Sequence, residues 1–141
     1  KVTQVALKRY AGDLKRLEAV EVADIGGDVT MEELKNAIAG MSHNTAPGSD
    51  GLTTAFYAKF LDVLGDALLS MINGILHTET KPSSFAEGRI VLILKDGAPP
   101  REPASWRPIT LLNTDYKIVA TIMNNRMKTV LPQIISPYQA C

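Results

Sequence analysis

Lys95 and Arg107 are the residues whose types and spacing point most directly to chemistry. Residues 89–95 read R-I-V-L-I-L-K, short, β-branched and bounded by Gly88 and Gly97, which predicts a strand rather than a helix. Residues 106–112, W-R-P-I-T-L-L, predict its partner. With a period of two, Arg89, Val91, Ile93 and Lys95 share one face, and Arg107, Ile109 and Leu111 share a face of the second strand. If those faces coincide, Lys95 meets Arg107. A planar guanidinium fork beside a compact ammonium suits a ligand with clustered negative charge, and a nucleotide triphosphate is such a ligand. The alternative is that both cations are solvated ends of a hairpin. Pro108 cannot donate to a ladder, so it belongs near a strand end or an edge and would fix Arg107 at the hairpin's mouth.

A second candidate is the turn-rich stretch 43–51, H-N-T-A-P-G-S-D-G. Pro47 and Gly48 suit the central positions of a type II turn, and Asp50 with Gly51 suits a second tight turn. Glycines let backbone approach a ligand closely, and the helix expected to follow would offer free amides to a phosphate. The phosphate-cradling pattern G-x-x-x-x-G-K-[ST] is absent, and a plain connector is the alternative. Other chemistry finds little support. His43 and His77 stand apart with no partner at metal-ligand spacing, and the one cysteine, Cys141, cannot build a zinc site or an internal disulfide. Ser49 and Ser105 lack a histidine neighbour that would activate a nucleophile. Asp62 and Asp66, four residues apart on a predicted helix, read as a solvent-facing pair.

The elements that must position these residues follow from periodicity. Leu7, Tyr10, Leu14 and Leu17 predict an amphipathic helix over 5–20, followed by a glycine-containing linker at 24–28. Thr30-Met-Glu-Glu33 is a capping box, and Met31, Leu34, Ile38 and Met41 form the stripe of the helix it opens. A long helix from about Thr53 carries Phe56, Phe60, Leu64, Leu68, Met71 and Ile75 on one face, with Gly65 and Gly74 as points of bending or division. A last helix, from Thr114 or Asp115 to Leu131, buries Tyr116, Val119, Ala120, Met123, Met127 and Val130 and is closed by Pro132. Residues 96–105, with three prolines, form a rigid loop between the strands. The fold class is α+β, helices packed around a small antiparallel β-hairpin or sheet.

Composition sets the bounds. The chain has 141 residues, 45% hydrophobic, with 15 Lys and Arg against 15 Asp and Glu. That length fits one domain or part of a larger one. Zero net charge argues against a free-standing nucleic-acid binder, so any such role must use local patches. One patch candidate is the cluster Lys8, Arg9, Lys15 and Arg16, which also fits a solvated helix face. No apolar run approaches membrane-spanning length, and no signal peptide is visible, so the expected location is intracellular, cytoplasm or nucleus.

Read in order, these segments resemble the amino-terminal part of the reverse transcriptases of non-LTR (LINE-type) retrotransposons. Residues 41–54, M-S-H-N-T-A-P-G-S-D-G-L-T-T, with Phe56 and Tyr57, are similar to the family stretch ending in [SA]-P-G-x-D-G-L and then F-Y. Residues 89–97 resemble its strand ending in lysine. Ser105-Trp-Arg-Pro-Ile-Thr-Leu-Leu-Asn113, Tyr116-Lys-Ile118, Asn125-Arg-Met127 and Ile135-Ser-Pro-Tyr-Gln139 resemble four further blocks in the same order. The resemblance covers 29–141, leaving 1–28 as an amino-terminal helix and linker. It implies a partial right-hand polymerase, the fingers and the start of the palm. It further implies that Lys95 and Arg107 hold the triphosphate of an incoming dNTP, and that Pro47, Gly48, Asp50 and Gly51 lie at the RNA template.

Departures are visible: Thr45 stands where the family often has lysine, which implies one cationic template contact fewer, and Lys95 is followed by Asp96 rather than a second basic residue. In this family the aspartates that bind Mg2+, including those of a Tyr-x-Asp-Asp turn, come later in the chain. This segment is therefore expected to contain no catalytic or metal-binding residue and to be inactive alone. Its expected partners are RNA template, DNA primer and dNTP, together with the remaining palm and thumb of the same polypeptide. A non-catalytic nucleic-acid-binding module derived from a reverse transcriptase is the alternative; a Tyr-x-Asp-Asp hairpin downstream would decide for the enzyme. A helical protein-interaction domain is a third reading, which predicts no binding to template–primer duplex at low salt.

Overall fold

The computed structural model describes residues 25–78 and 80–135. The helix expected at 5–20 with its basic cluster, and the end of the last family block at 136–139, lie outside the described residues. Residues 28–122 form one compact unit, and residues 25–27 group with 123–135 in another. The described elements are helices α1 (Met31–Gly40), α2 (Thr54–Lys59) and α3 (Leu61–Thr78), strands β1 (Gly88–Leu94) and β2 (Trp106–Leu112), and helix α4 (Thr114–Ile134). Short 3₁₀ turns at Ser83–Ala86 and Pro103–Ser105 lead into the two strands. The chain is thus mixed helix and sheet, as expected from its periodicities, with a two-stranded antiparallel sheet.

Helix α1 begins where local chemistry directs it. Thr30 Oγ1 accepts from the Glu33 amide at 3.2 Å, and the Thr30 amide donates to Glu33 Oε2 at 2.9 Å, which satisfies two otherwise orphaned donors. The helix buries Leu34, Ala37 and Ile38. Against it, α3 buries Gly65, Leu68 and Ile72. Fully burying side chains such as Leu34, Ile38 and Ile72 stabilises the fold by roughly 1.5–3 kcal/mol each. The entry to α1 is tied to α3 by the Asn73 side chain, whose Oδ1 accepts from Val29 N at 2.7 Å while its Nδ2 donates to Val29 O at 3.0 Å.

Three sequence expectations are corrected. The long helix does divide, but at Phe60, the C-cap of α2, rather than at Gly65 or Gly74. Phe60 stands exposed, its ring tilted against that of Phe56 with centroids 5.0 Å apart, and Gly65 is used instead for close packing under Met31. In α4 the buried residues within the first unit are Thr114, Ile118 and Ile122, not Tyr116 and Ala120. Met127 is 48% exposed, whereas Val130 is buried as expected. Pro132 sits inside the last turn of α4, which runs on to Ile134, rather than closing the helix ahead of itself. A proline there removes one amide donor at a point where few turns remain to be disrupted.

In the second unit, Arg126 Nη1 donates to the carbonyls of Ile25 and Gly27 at 2.9 and 2.7 Å, closing the chain just before the first unit against α4. Among the described residues no helix is long and apolar enough to cross a membrane.

Candidate functional site

The hairpin carries one candidate pair. β1 and β2 run antiparallel with Arg89 facing Leu111, Val91 facing Ile109, Ile93 facing Arg107 and Leu92 facing Pro108. Residues directly opposite project from the same face. Arg89, Val91 and Ile93 therefore share a face with Arg107, Ile109 and Leu111, a coincidence that the alternation alone left open. Lys95 lies one residue past the end of β1 and keeps the ladder going through its amide, which donates to Ser105 O at 2.8 Å. That bond puts the odd-numbered positions of β1 in hydrogen-bonded pairs. Pro108, opposite Leu92, falls between them, where its missing donor faces the sheet's free edge.

Lys95 and Arg107 are placed differently. The Lys95 ammonium donates to the Ala104 carbonyl at 2.7 Å, which spends one of its three donors on the turn entering β2. Arg107 is exposed and makes no side-chain hydrogen bond or ion pair among the described residues, so its whole fork is available. The loop between the strands is self-braced. Ala98 N donates to Lys95 O at 3.1 Å, Glu102 N to Pro99 O at 3.3 Å, and Trp106 Nε1 reaches back to Pro100 O at 3.0 Å.

The second candidate, the loop holding Pro47, Gly48, Asp50 and Gly51, is built by different means than its sequence suggested. Gly51 N donates to Gly48 O at 3.4 Å, so Ser49 and Asp50 occupy the centre of the turn. Gly51 has φ +75°, a backbone region that disfavours other residues. Gly48 does not have positive φ, so the expected type II turn at Pro47–Gly48 is not formed. Its glycine has another reason. A Cβ there would fall on the Asn113 side chain and within 2.5 Å of the Asn113 amide nitrogen.

Asn113, at the junction of β2 and α4, is 1% exposed and fully engaged. Its Oδ1 accepts from the Asp50 amide at 3.3 Å and from Ser49 Oγ at 3.4 Å, and its Nδ2 donates to Ser84 O at 3.0 Å. One helical step on, Thr114 Oγ1 donates to Leu52 O at 2.6 Å, and Lys117 Nζ donates to Ala46 O at 3.0 Å. Sequence reasoning had Asn113 and Lys117 only as members of two of the resembling blocks and Thr114 only as the start of the last helix, with no part in the loop.

The base of the loop is acidic. Burial, reinforced by the Asp115 and Asp50 carboxylates, pushes the Tyr57 hydroxyl up to about 12. Burial likewise raises Asp115 above the usual carboxylate range, an effect partly offset by the Tyr116 amide and increased by Asp50. Those carboxylates disfavour a phosphate on that side, whereas Ser49, Asp50 and Gly51 at the tip are exposed. Among the described residues no group of three or more His, Cys, Asp or Glu side chains could hold a metal ion.

No family profile matches the chain. It is nevertheless 38% identical over 112 residues to a transposon TX1 uncharacterized 149 kDa protein of Xenopus laevis, covering 79% of this chain and 8% of that protein. It is 33% identical over 101 residues to the RNA-directed DNA polymerase from mobile element jockey of Drosophila melanogaster, covering 72% of this chain and 11% of the relative. A third relative, a probable RNA-directed DNA polymerase from transposon BS of Drosophila melanogaster, is 30% identical over 106 residues, 74% of this chain and 12% of its own length. The chain therefore spans roughly a tenth of the length of the curated relatives it matches. Through these relatives, and through the ordered motif blocks that run from the loop to α4, the chain belongs to the RNA-directed DNA polymerase family of non-LTR retrotransposable elements, of which it is one segment.

Proposed function

We propose that this segment forms the fingers and the start of the palm, over 29–141, of an intracellular reverse transcriptase. In it, Arg107 and Lys95 grip the triphosphate of the incoming dNTP, while the backbone of Pro47, Gly48, Asp50 and Gly51 lies along the RNA template. The observation that carries the reading is the hairpin register, which sets Arg107 on one exposed face with Arg89 and leaves its guanidinium without a protein partner among the described residues. A guanidinium fork matches two phosphate oxygens, and the Lys95 ammonium would add a point charge through the two donors not used on Ala104.

The complete polymerase would take up Mg2+, which shields the transferring phosphates and activates the primer hydroxyl. In this reading the ion's ligands come from the remainder of the palm, and this segment alone would not polymerise. Primer, template, dNTP and the remainder of the palm and thumb on the same polypeptide complete the site. The reading is tested by single-nucleotide incorporation on an RNA template by a polypeptide that carries this chain within a complete polymerase domain. A nucleotide dependence unchanged by Arg107→Ala, in a folded variant, removes Arg107 from the triphosphate site.

A further inference from the structure

We propose that Asn113 is a positioning residue whose buried carboxamide holds the 47–51 loop in the shape that meets the template, with Lys117 and Thr114 fixing the loop's flanks. The inference rests on the template role proposed above for that loop. Its basis is the distribution of the anchors. Residues 113–117 reach Ala46, Ser49, Asp50 and Leu52, so both shoulders and the tip of the loop are held from one helix start.

Only a carboxamide meets all the demands at position 113. It must accept from the Asp50 amide and donate to the Ser84 carbonyl from one planar group, with no net charge at a site nearly closed to water. An aspartate would lose the donor and bring in a buried charge, and an apolar side chain would orphan both backbone groups. Gly48 completes the fit, because nothing larger allows the loop to approach Asn113. The tip stays exposed, and its own Asp50 carboxylate accepts from the Leu52 amide at 2.9 Å. A mere connector would be satisfied by solvent at the Ala46 and Leu52 carbonyls and at the Asp50 amide; here side chains about 60–70 residues away in sequence do so.

The test uses a polypeptide carrying this chain in a complete polymerase domain, with template–primer affinity read by fluorescence anisotropy and dNTP KM read separately at saturating template. Asn113→Ala is expected to weaken template–primer binding by about 10-fold while moving the dNTP KM by less than about 2-fold, the scale of losing hydrogen bonds that order one element only. Lys117→Met, at a partly exposed position, keeps the stem and serves as the variant that stays folded. It is expected to weaken binding by about 3-fold without changing the slope of log Kd against log salt, since a direct phosphate contact would lower that slope by about 0.9. Unchanged template affinity in both folded variants overturns the proposal, as does a parallel loss in template affinity and dNTP KM, or a reduced salt slope for Lys117→Met. A benzophenone side chain introduced at Ser49 separates the two levels. Failure to photocross-link template in the otherwise unaltered protein sinks the template reading itself and this inference with it. A cross-link that persists with full affinity in Asn113→Ala sinks the positioning role alone.

Discussion

Gly48 rests against Asn113 with no room for another carbon between them. The contact joins a surface loop to the junction of a strand and a helix 65 residues later, and it needs glycine for space rather than for an unusual φ. Gly48→Ala is therefore expected to destabilise the chain by about 1–3 kcal/mol, the usual scale of overpacking. Urea denaturation measures it. The double variant Gly48→Ala with Asn113→Ala should be less destabilised than the sum of the singles, because a loop pushed off by the clash with the Asn113 backbone, at 2.5 and 2.7 Å, has already lost the bonds that the second substitution removes.

For the polymerase that carries this segment, Arg107→Ala should lower kcat/KM for the nucleotide by about 10–100-fold, the loss of one charge-assisted phosphate contact. Lys95→Ala should cost less, because part of its ammonium is already engaged by the Ala104 carbonyl. Steady-state incorporation at varied dNTP distinguishes the two, and an equal or larger effect at Lys95 would reverse the assignment.

Thr30→Ala should cost about 1 kcal/mol, since it removes the hydroxyl that caps the Glu33 amide and leaves that donor to solvent. Thr30→Ser should recover most of the loss. Denaturation midpoints for the pair check both expectations.

The titration of two residues near the loop gives a pH dependence with a definite sign. The folded pKa of Asp115 lies above its unfolded value, so the folded state binds this proton more tightly, and its ionisation opposes folding. The penalty is absent below the unfolded carboxylate pKa and grows as pH rises through the interval up to the folded pKa. Asp115→Asn should abolish that loss and keep the acceptor facing the Tyr116 amide. Tyr57, with its hydroxyl raised from 10.0 to about 12, should contribute a second loss of stability across that alkaline interval. Tyr57→Phe should remove it. Stability against pH for the two variants and the parent is the measurement.

Helix α4 supplies a direct test of which face packs. Ile122→Ala, at a buried site, should cost about 2–5 kcal/mol, and Met127→Ala, 48% exposed, should stay within about 0.5 kcal/mol. Sequence periodicity favoured Met127 because α4 has apolar residues on more than one stripe, Ile118 and Ile122 on one and Tyr116, Met123 and Met127 on another. A period of 3.6 fits either, and the partner that decides between them is remote in sequence. What is local was legible: the Thr30–Glu33 box, the two strands and the alternation that puts Arg89 with Ile93 and Arg107 with Ile109 all follow from neighbours within a few positions, while the register that joins the two faces does not. What depends on long-range packing was not legible. The break at Phe60, the spatial reason for Gly48 and the anchoring by Asn113, Thr114 and Lys117 have no signature in any short window of residues.

The hairpin leaves apolar side chains in water on both faces: Ile90 and Leu92 are 64% and 61% exposed on one, and Ile93 is 53% exposed on the other. With only two strands, β1 also has an outer edge of unclaimed amides and carbonyls among the described residues, while Pro108 removes a donor from that of β2. A ribbon greasy on both sides and open along β1 is a template for edge-to-edge growth, so this segment produced in isolation should self-associate through residues 88–94, and lysines placed at Ile90 and Leu92 should keep it dispersed.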